Sequence, residues 1–256
     1  MTPAPLRRRT LLATGLASAL GLGASACGAA DGPDATAGSQ GPVDGFPLEL
    51  ANCAEQLRFE TPPQRVVLLE SSPVTLLDGI GVLDRVVARA GSFPPGYFAP
   101  ELAARIDAIP ALSEDLDATG HLQINQEVVI SQQPDLVIGL PDGLTREGLR
   151  AAGAEALVPN TFCGDLSSRA SFKDLYAEIT TYGTLFDRAD EASALITALQ
   201  QRVGAVTANA GSYTARTAAM LYPSIGGGPL YTYGTLSMAT AQLDALGLEN
   251  TFAGTE

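Results

Sequence analysis

Residues 65–88 read RVVLLESSPVTLLDGIGVLDRVVA, and the order of signals within them decides the fold. Arg65-Val66-Val67-Leu68-Leu69 is an unbroken apolar run of strand length, the pattern of a strand covered on both faces. Ser71-Ser72-Pro73 opens a helix over Val74 to Ile80, with proline near the first turn, where its missing N–H is no loss, and Gly79 and Gly81 near the end. Val86-Val87-Ala88 is the next strand. The same unit recurs downstream. Asp135-Leu136-Val137-Ile138-Gly139 is a strand, Thr145 caps a helix ending at Gly153, and Ala156-Leu157-Val158 is a strand again. Strand, helix, glycine, strand, twice over and with fully buried strands, predicts α/β architecture with a parallel sheet covered by helices.

Beyond this region the elements lengthen. Ser171 and Asp174 form a capping-box-like start for a helix carrying Leu175, Ile179, Tyr182 and Phe186 on one face. Asp187 to Asp190 opens a second helix, Glu191 to about Ala208, whose Leu195, Ile196, Leu199, Val203 and Val206 share a face. A helix of that length reads as a stiff rod. After it come a strand over Ala218 to Tyr222, a turn at Gly226-Gly227-Gly228, a strand at Leu230 to Tyr233, and a helix from Leu236 to Leu246. This last piece is too small to bury both faces of a parallel sheet, so the chain reads as part of a longer protein with its second lobe incomplete.

The N-terminus carries an address. Arg7-Arg8-Arg9, the short apolar run Leu11 to Gly23, and small Ala24-Ser25-Ala26 before Cys27 read as a lipoprotein signal, with Arg8-Arg9 also fitting twin-arginine export. Cys27 is then the lipidated N-terminus, which makes the membrane a partner through a lipid anchor. The apolar run is too short for a transmembrane helix. An ordinary signal peptide with an incidental cysteine is the alternative. Residues 28–45, rich in Gly, Ala, Asp and Pro, read as a flexible tether. The expected organisation is therefore signal 1–26, tether 27–45, N-terminal lobe 46–170, connecting helices 171–210 and the start of a C-terminal lobe 211–256.

Charge narrows the function. Three of the 15 basic residues lie in the signal, leaving 12 against 28 acids, a net charge of −16. That balance argues against nucleic acid, whose phosphates call for basic residues. Two cysteines remain, Cys53 and Cys163, and an even count in an exported chain favours a disulfide closing a loop of roughly 110 residues, worth about 4 kcal/mol. Two separate buried thiols are the alternative. No metal-ligand spacing is present, and His121 is the single histidine.

Several stretches, taken in order, carry a family resemblance: Asn52-Cys53, Pro63-Gln64-Arg65-Val66-Val67, residues 81–87, and Ile124-Asn125-Gln126-Glu127-Val128-Val129 running into Gln133-Pro134-Asp135-Leu136-Val137-Ile138. Residues 182–186 and 246–253 continue the series. Together they resemble the substrate-binding proteins of ABC importers for ferric siderophores, cobalamin and haem, in their actinobacterial lipoprotein branch. The resemblance implies two Rossmann-like lobes joined by a long helix, ligand in the cleft at the strand carboxyl ends, and a monomer that meets permease subunits. In this family a second Glu and Pro-Asp segment belongs to the second lobe, and here it would lie beyond Glu256. The transported ligand implied is a ferric siderophore, with haem or cobalamin as alternatives.

The segments after the strand ends hold the candidate ligand residues: Glu70, Ser71, Arg89, Phe93, Tyr97, Phe162, Tyr222, Tyr231 and Tyr233. Flat rings suit a bulky, partly apolar chelate. Arg89 is either a cation for an anionic ligand group or one half of a salt bridge. Tyr231 and Tyr233 share a strand face that is core or cleft. Glu127, in the first turn of a helix, resembles the family's permease-docking carboxylate; the alternative is a glutamate placed by the helix dipole. His121 is a haem ligand or a loop histidine. No nucleophile elbow or glycine-rich phosphate loop is present, so an exported enzyme and a non-transport surface lipoprotein are the readings from other classes.

Overall fold

The computed structural model describes residues 43–117, 120–164, 168–210, 216–223 and 230–255. The chain opens with an antiparallel hairpin, β1 (Leu48–Asn52) and β2 (Glu55–Phe59). Its turn places Cys53 and Ala54 at φ 50° and 64°, the left-handed conformations that a two-residue hairpin loop requires at both central positions. The sequence reading did not separate these strands, because the turn lacks the usual Asn-Gly signature.

The expected α/β unit follows. β3 (Val66–Leu68) leads to α1 (Val74–Gly79) and β4 (Val86–Ala90), then to α2 (Pro100–Asp107) and β5 (Ala111–Ser113). α3 (Gln126–Ile130), β6 (Leu136–Ile138), α4 (Arg146–Ala151) and β7 (Glu155–Leu157) complete it. The five strands are parallel in the order β5-β4-β3-β6-β7. The chain therefore runs outward on one side of β3 and returns to the other, which creates a switch point between β3 and β6.

Alternation along the central strands builds two core layers. Val66 and Leu68 face one layer with α1, α5 and the hairpin, while Val67 and Leu69 face the other with Val129 and Leu149 of α3 and α4. The carboxylate of Asp135 accepts from the backbone N–H groups of Gln64 (2.7 Å) and Arg65 (2.9 Å), tying the start of β3 to the start of β6. Thr145 caps α4 by accepting from the Gly148 N–H, worth about 1 kcal/mol. β2 lies beside the outer edge of β7, where the Glu155 carboxylate accepts from the Arg58 N–H and pairs with Arg150.

α5 (Phe172–Leu185) begins at the expected Ser171–Asp174 capping box. α6 (Ala189–Ala210) spans 22 residues, about 33 Å at 1.5 Å per residue. A Cβ at Gly79 of α1 would meet Leu195 Cδ2 at 2.7 Å, so glycine there lets α6 approach. Leu195, Ile196 and Leu199 pack against the core, whereas Val206 is exposed: the expected apolar stripe is covered only along its first half.

The last region departs from expectation in one respect. The single strand read over Ala218 to Tyr222 is two, β8 (Arg216–Ala218) and β9 (Leu221–Pro223). β9 pairs antiparallel with β10 (Leu230–Thr232), and β8 pairs in parallel with β11 (Leu248–Asn250), which follows α7 (Met238–Ala245). The described residues cluster as one compact unit. Among the described residues no helix is long and apolar enough to cross a membrane.

Candidate functional site

A cavity of about 410 Å³ sits at the carboxyl ends of the parallel strands. Each strand contributes the residues that follow it: Glu70 and Ser71 after β3, Gly91 and Ser92 after β4, Gly139 to Asp142 after β6, and Val158, Pro159 and Phe162 after β7. The remaining wall comes from the loop after β5, where Leu116 and Leu122 bridge and His121 joins the lining. This is the crevice that a change of strand direction opens in an open α/β sheet.

Glu70 is the most perturbed group on the wall. Burial pushes its carboxyl above the ordinary carboxylate range, and backbone N–H groups of Ser72 and Ser71 draw it part of the way back. The other ionisable lining residues are Asp142 and His121, whose Nδ1 lies 3.7 Å from Asp117 Oδ2. No Arg or Lys lines the cavity among the described residues. Among them, too, no group of three His, Cys, Asp or Glu is placed to hold a metal ion.

The structure brings together some of the expected residues and separates others. Glu70, Ser71 and Phe162 line the cavity, and so does His121. Arg89 does not. β4 places Ala88 and Ala90 in the layer beside α3 and α4, so the residue between them points to the opposite face. There Arg89 is buried, donates to the Ile106 carbonyl (3.2 Å), pairs with Glu114 (3.5 Å) and stands 5.1 Å over the Phe93 ring. Of its two expected roles, cleft cation or salt bridge, Arg89 here has the geometry of the salt bridge. Phe93 is taken up as its partner, and Tyr97 is 78% exposed on a turn away from the lining. Tyr222 and Tyr231 face each other across β9–β10 with ring centroids 6.4 Å apart. Those two and Tyr233 are solvent-exposed and do not line the cavity. Glu127 is exposed in the first turn of α3, its N–H donating to Asn125 Oδ1 (2.9 Å). Cys27 lies outside the described residues.

The device that holds the β7 side of the wall joins an expected disulfide to an amide that sequence reasoning missed. Cys53 and Cys163 form a disulfide, Cα to Cα 4.8 Å. Beside it the buried Asn52 amide pairs with Val158 in both directions, Nδ2 donating to its carbonyl (2.8 Å) and Oδ1 accepting from its N–H (2.9 Å). Arg146 donates to the same Oδ1 at 2.9 Å, which fixes the amide's orientation. Residues 52 and 53 thus clamp the segment that supplies Val158, Pro159 and Phe162. Only the cysteine pairing had a signal in the sequence, because Asn52 meets its partner 106 residues away.

Residues 66–256 match the periplasmic binding protein family. Among solved structures, the chain is similar to an ABC-type Fe3+-hydroxamate transport system from Saccharomonospora viridis, with 51% identity and a TM-score of 0.76. The match covers 82% of this chain and 72% of that one. A periplasmic binding protein from Veillonella parvula is similar at 24% identity and TM-score 0.63, covering 78% of this chain and 62% of that one. The catecholate-siderophore binding protein VctP from Vibrio cholerae shares the fold at 16% identity and TM-score 0.60, with 82% and 69% covered. No curated protein matches. With a parallel sheet, a long helix and a cavity at the strand carboxyl ends, the chain belongs to the periplasmic binding protein family and has its class III fold.

Proposed function

We propose that this protein is the extracytoplasmic substrate-binding component of an ABC importer, capturing a ferric hydroxamate or a similar iron chelate and delivering it to a permease. The observation that carries the reading is the 51% identity, over 82% of the chain, to a component of an Fe3+-hydroxamate transport system. The family is one of periplasmic binding proteins, which supports a binding role.

Cavity chemistry supports the choice of chelate. Its ionisable groups are two acids and one histidine, with no Arg or Lys among the described lining residues. A ferric ion wrapped by three singly charged hydroxamates is neutral at its centre, and a neutral body enters such a cavity without charge repulsion. A ferric ion held by three doubly charged catecholates keeps a net negative charge, which Glu70 and Asp142 oppose. Glu70 and Ser71 supply polar contacts, and the half-exposed Phe162 ring supplies an apolar one. The tyrosines of β9–β10 are proposed to meet the ligand from the other side.

The remaining assignments extend this reading. Residues 46–170 and 211–256 belong to two lobes, with α5 and α6 as the connection. Cys27 carries the lipid that tethers a monomeric protein to the outer face of the membrane. Glu127 docks on the permease, where an exposed carboxylate orients a reversible encounter. Glu127→Ala is expected to spare chelate binding and weaken uptake in cells; the reverse pattern sinks the docking role.

Titration with a ferric trihydroxamate tests the proposal. The chain has 7 tyrosines and no tryptophan, so intrinsic tyrosine fluorescence is an uncrowded signal. Saturable quenching by the hydroxamate, with weaker responses to a ferric catecholate, haemin and cobalamin, is expected. Absence of saturable quenching by all four overturns it. Haem is a second reading because His121 lines the cavity with Asp117 beside its Nδ1. A haemin absorbance band that shifts in His121→Ala would favour haem.

A further inference from the structure

A smaller cavity of about 70 Å³ lies behind the wall of the first, and Val158 and Pro159 line both. From the opposite side α5 presents Glu178, Thr181 and Tyr182, spaced three and four residues apart so that they share one helix face. Tyr182 is 1% exposed, and its phenol oxygen has no hydrogen-bond partner within the chain. A buried hydroxyl in that condition calls for a partner. Among the described residues, no hydrogen bond or ion pair reaches the partly buried Glu178 either.

One unsatisfied buried hydroxyl and one partly buried carboxylate therefore line the same small cavity. Glu178 is the only charged residue in its described lining, so nothing on the wall neutralises it. The neighbouring groups are neutral oxygens: the Tyr182 phenol, the Thr181 hydroxyl, which donates to the Ala177 carbonyl (3.0 Å) and keeps its lone pairs, and the Asn160 amide. Burial raises the Glu178 carboxyl above its ordinary range. It also raises the Tyr182 phenol, with the charges of Glu178 and Glu70 adding to the rise. Burial is the leading cause for both groups, and the acids add negative potential at the Tyr182 phenol.

We infer that this cavity is a binding site for a compact monovalent cation, sodium or potassium, held between the Glu178 carboxylate and Tyr182 Oη. One carboxylate with neutral oxygens suits a single charge; calcium sites commonly gather several carboxylates. Because the two cavities share Val158 and Pro159, an ion held here props the wall of the ligand cavity from behind.

Thermal unfolding of the full chain in NaCl, KCl and choline chloride at equal ionic strength tests the inference. The unfolding midpoint is expected to be about 2–4 °C higher in saturating sodium or potassium than in choline, with a saturable dependence on the ion. The difference should vanish in Glu178→Gln and shrink in Tyr182→Phe. In choline, Tyr182→Phe should match or exceed the wild type, since it removes an unpartnered hydroxyl. Superimposed midpoints of the wild type in all three salts overturn the site and leave water as the occupant. A shift that persists unchanged in both variants also overturns it. If Glu178→Gln does not fold, the wild-type salt series and sodium NMR line broadening decide. The test involves no siderophore, so it stands apart from the import reading.

Discussion

Strands that precede and follow α6 in the chain carry similar apolar residues and meet opposite fates. Every residue of β3 and β6 is buried, because helices cover both faces of the sheet they form. Across β9–β10, Leu221, Tyr222, Leu230, Tyr231 and Tyr233 are all exposed, Leu230 at 62%. Withdrawing one such side chain from water is worth about 1.5–3 kcal/mol, so the first region spends its apolar residues on stability. The second keeps them at the surface, available for contact with a ligand or another surface. An apolar run specifies a strand; what packs on it specifies whether that strand is core or interface.

The contrast can be broken at its strongest point first. Cys53→Ser with Cys163→Ser removes a crosslink spanning 110 residues of the first region and is expected to cost about 4 kcal/mol in urea unfolding. A loss near zero would mean that the clamp adds nothing beyond the sheet. Leu68→Ala, at the centre of the sheet, should cost about 3 kcal/mol by the same measurement, as a cavity in packed surroundings does. Glu70 sharpens the comparison through pH. A carboxyl whose folded pKa stands above its unfolded value holds its proton more tightly when folded. The folded state therefore loses relative stability as pH rises from about the ordinary 4.5 through the raised value. Glu70→Gln should abolish that loss, so the gap between variant and wild-type midpoints widens across this window and then levels. A gap independent of pH would show that Glu70 does not titrate there. The smallest effect is expected from Leu230→Ala, within about 0.5 kcal/mol of wild type; a loss like that of Leu68→Ala would erase the distinction between the regions.

The sheet was legible because its signals are local. Val66 to Leu69 and Leu136 to Ile138 are continuous apolar runs, and Pro73, Gly79 and Thr145 punctuate the helices beside them. The capping box at Ser171 was legible for the same reason. The β1–β2 hairpin was not, since Cys53 and Ala54 adopt a conformation that their types rarely signal. Arg89 was left between cleft cation and salt bridge because its position at a strand end says nothing about which face it takes. The pairing of β3 with β4 shifts register between Val66 and Val67, a step that no residue type marks. Asn52 acts through a partner distant in sequence, and Tyr182 faces a cavity walled by distant segments, so their surroundings emerge only from the assembled fold.

The hairpin beside β7 has a consequence for behaviour at high concentration. A parallel sheet ends in unpaired backbone groups that recruit strands from other molecules. Here β2 blocks that approach, and Arg58, Glu55, Arg150 and Glu155 array charges along the seam, where a foreign strand would have to shed their hydration. At high concentration, that edge of the sheet is thereby guarded against adding strands from other copies.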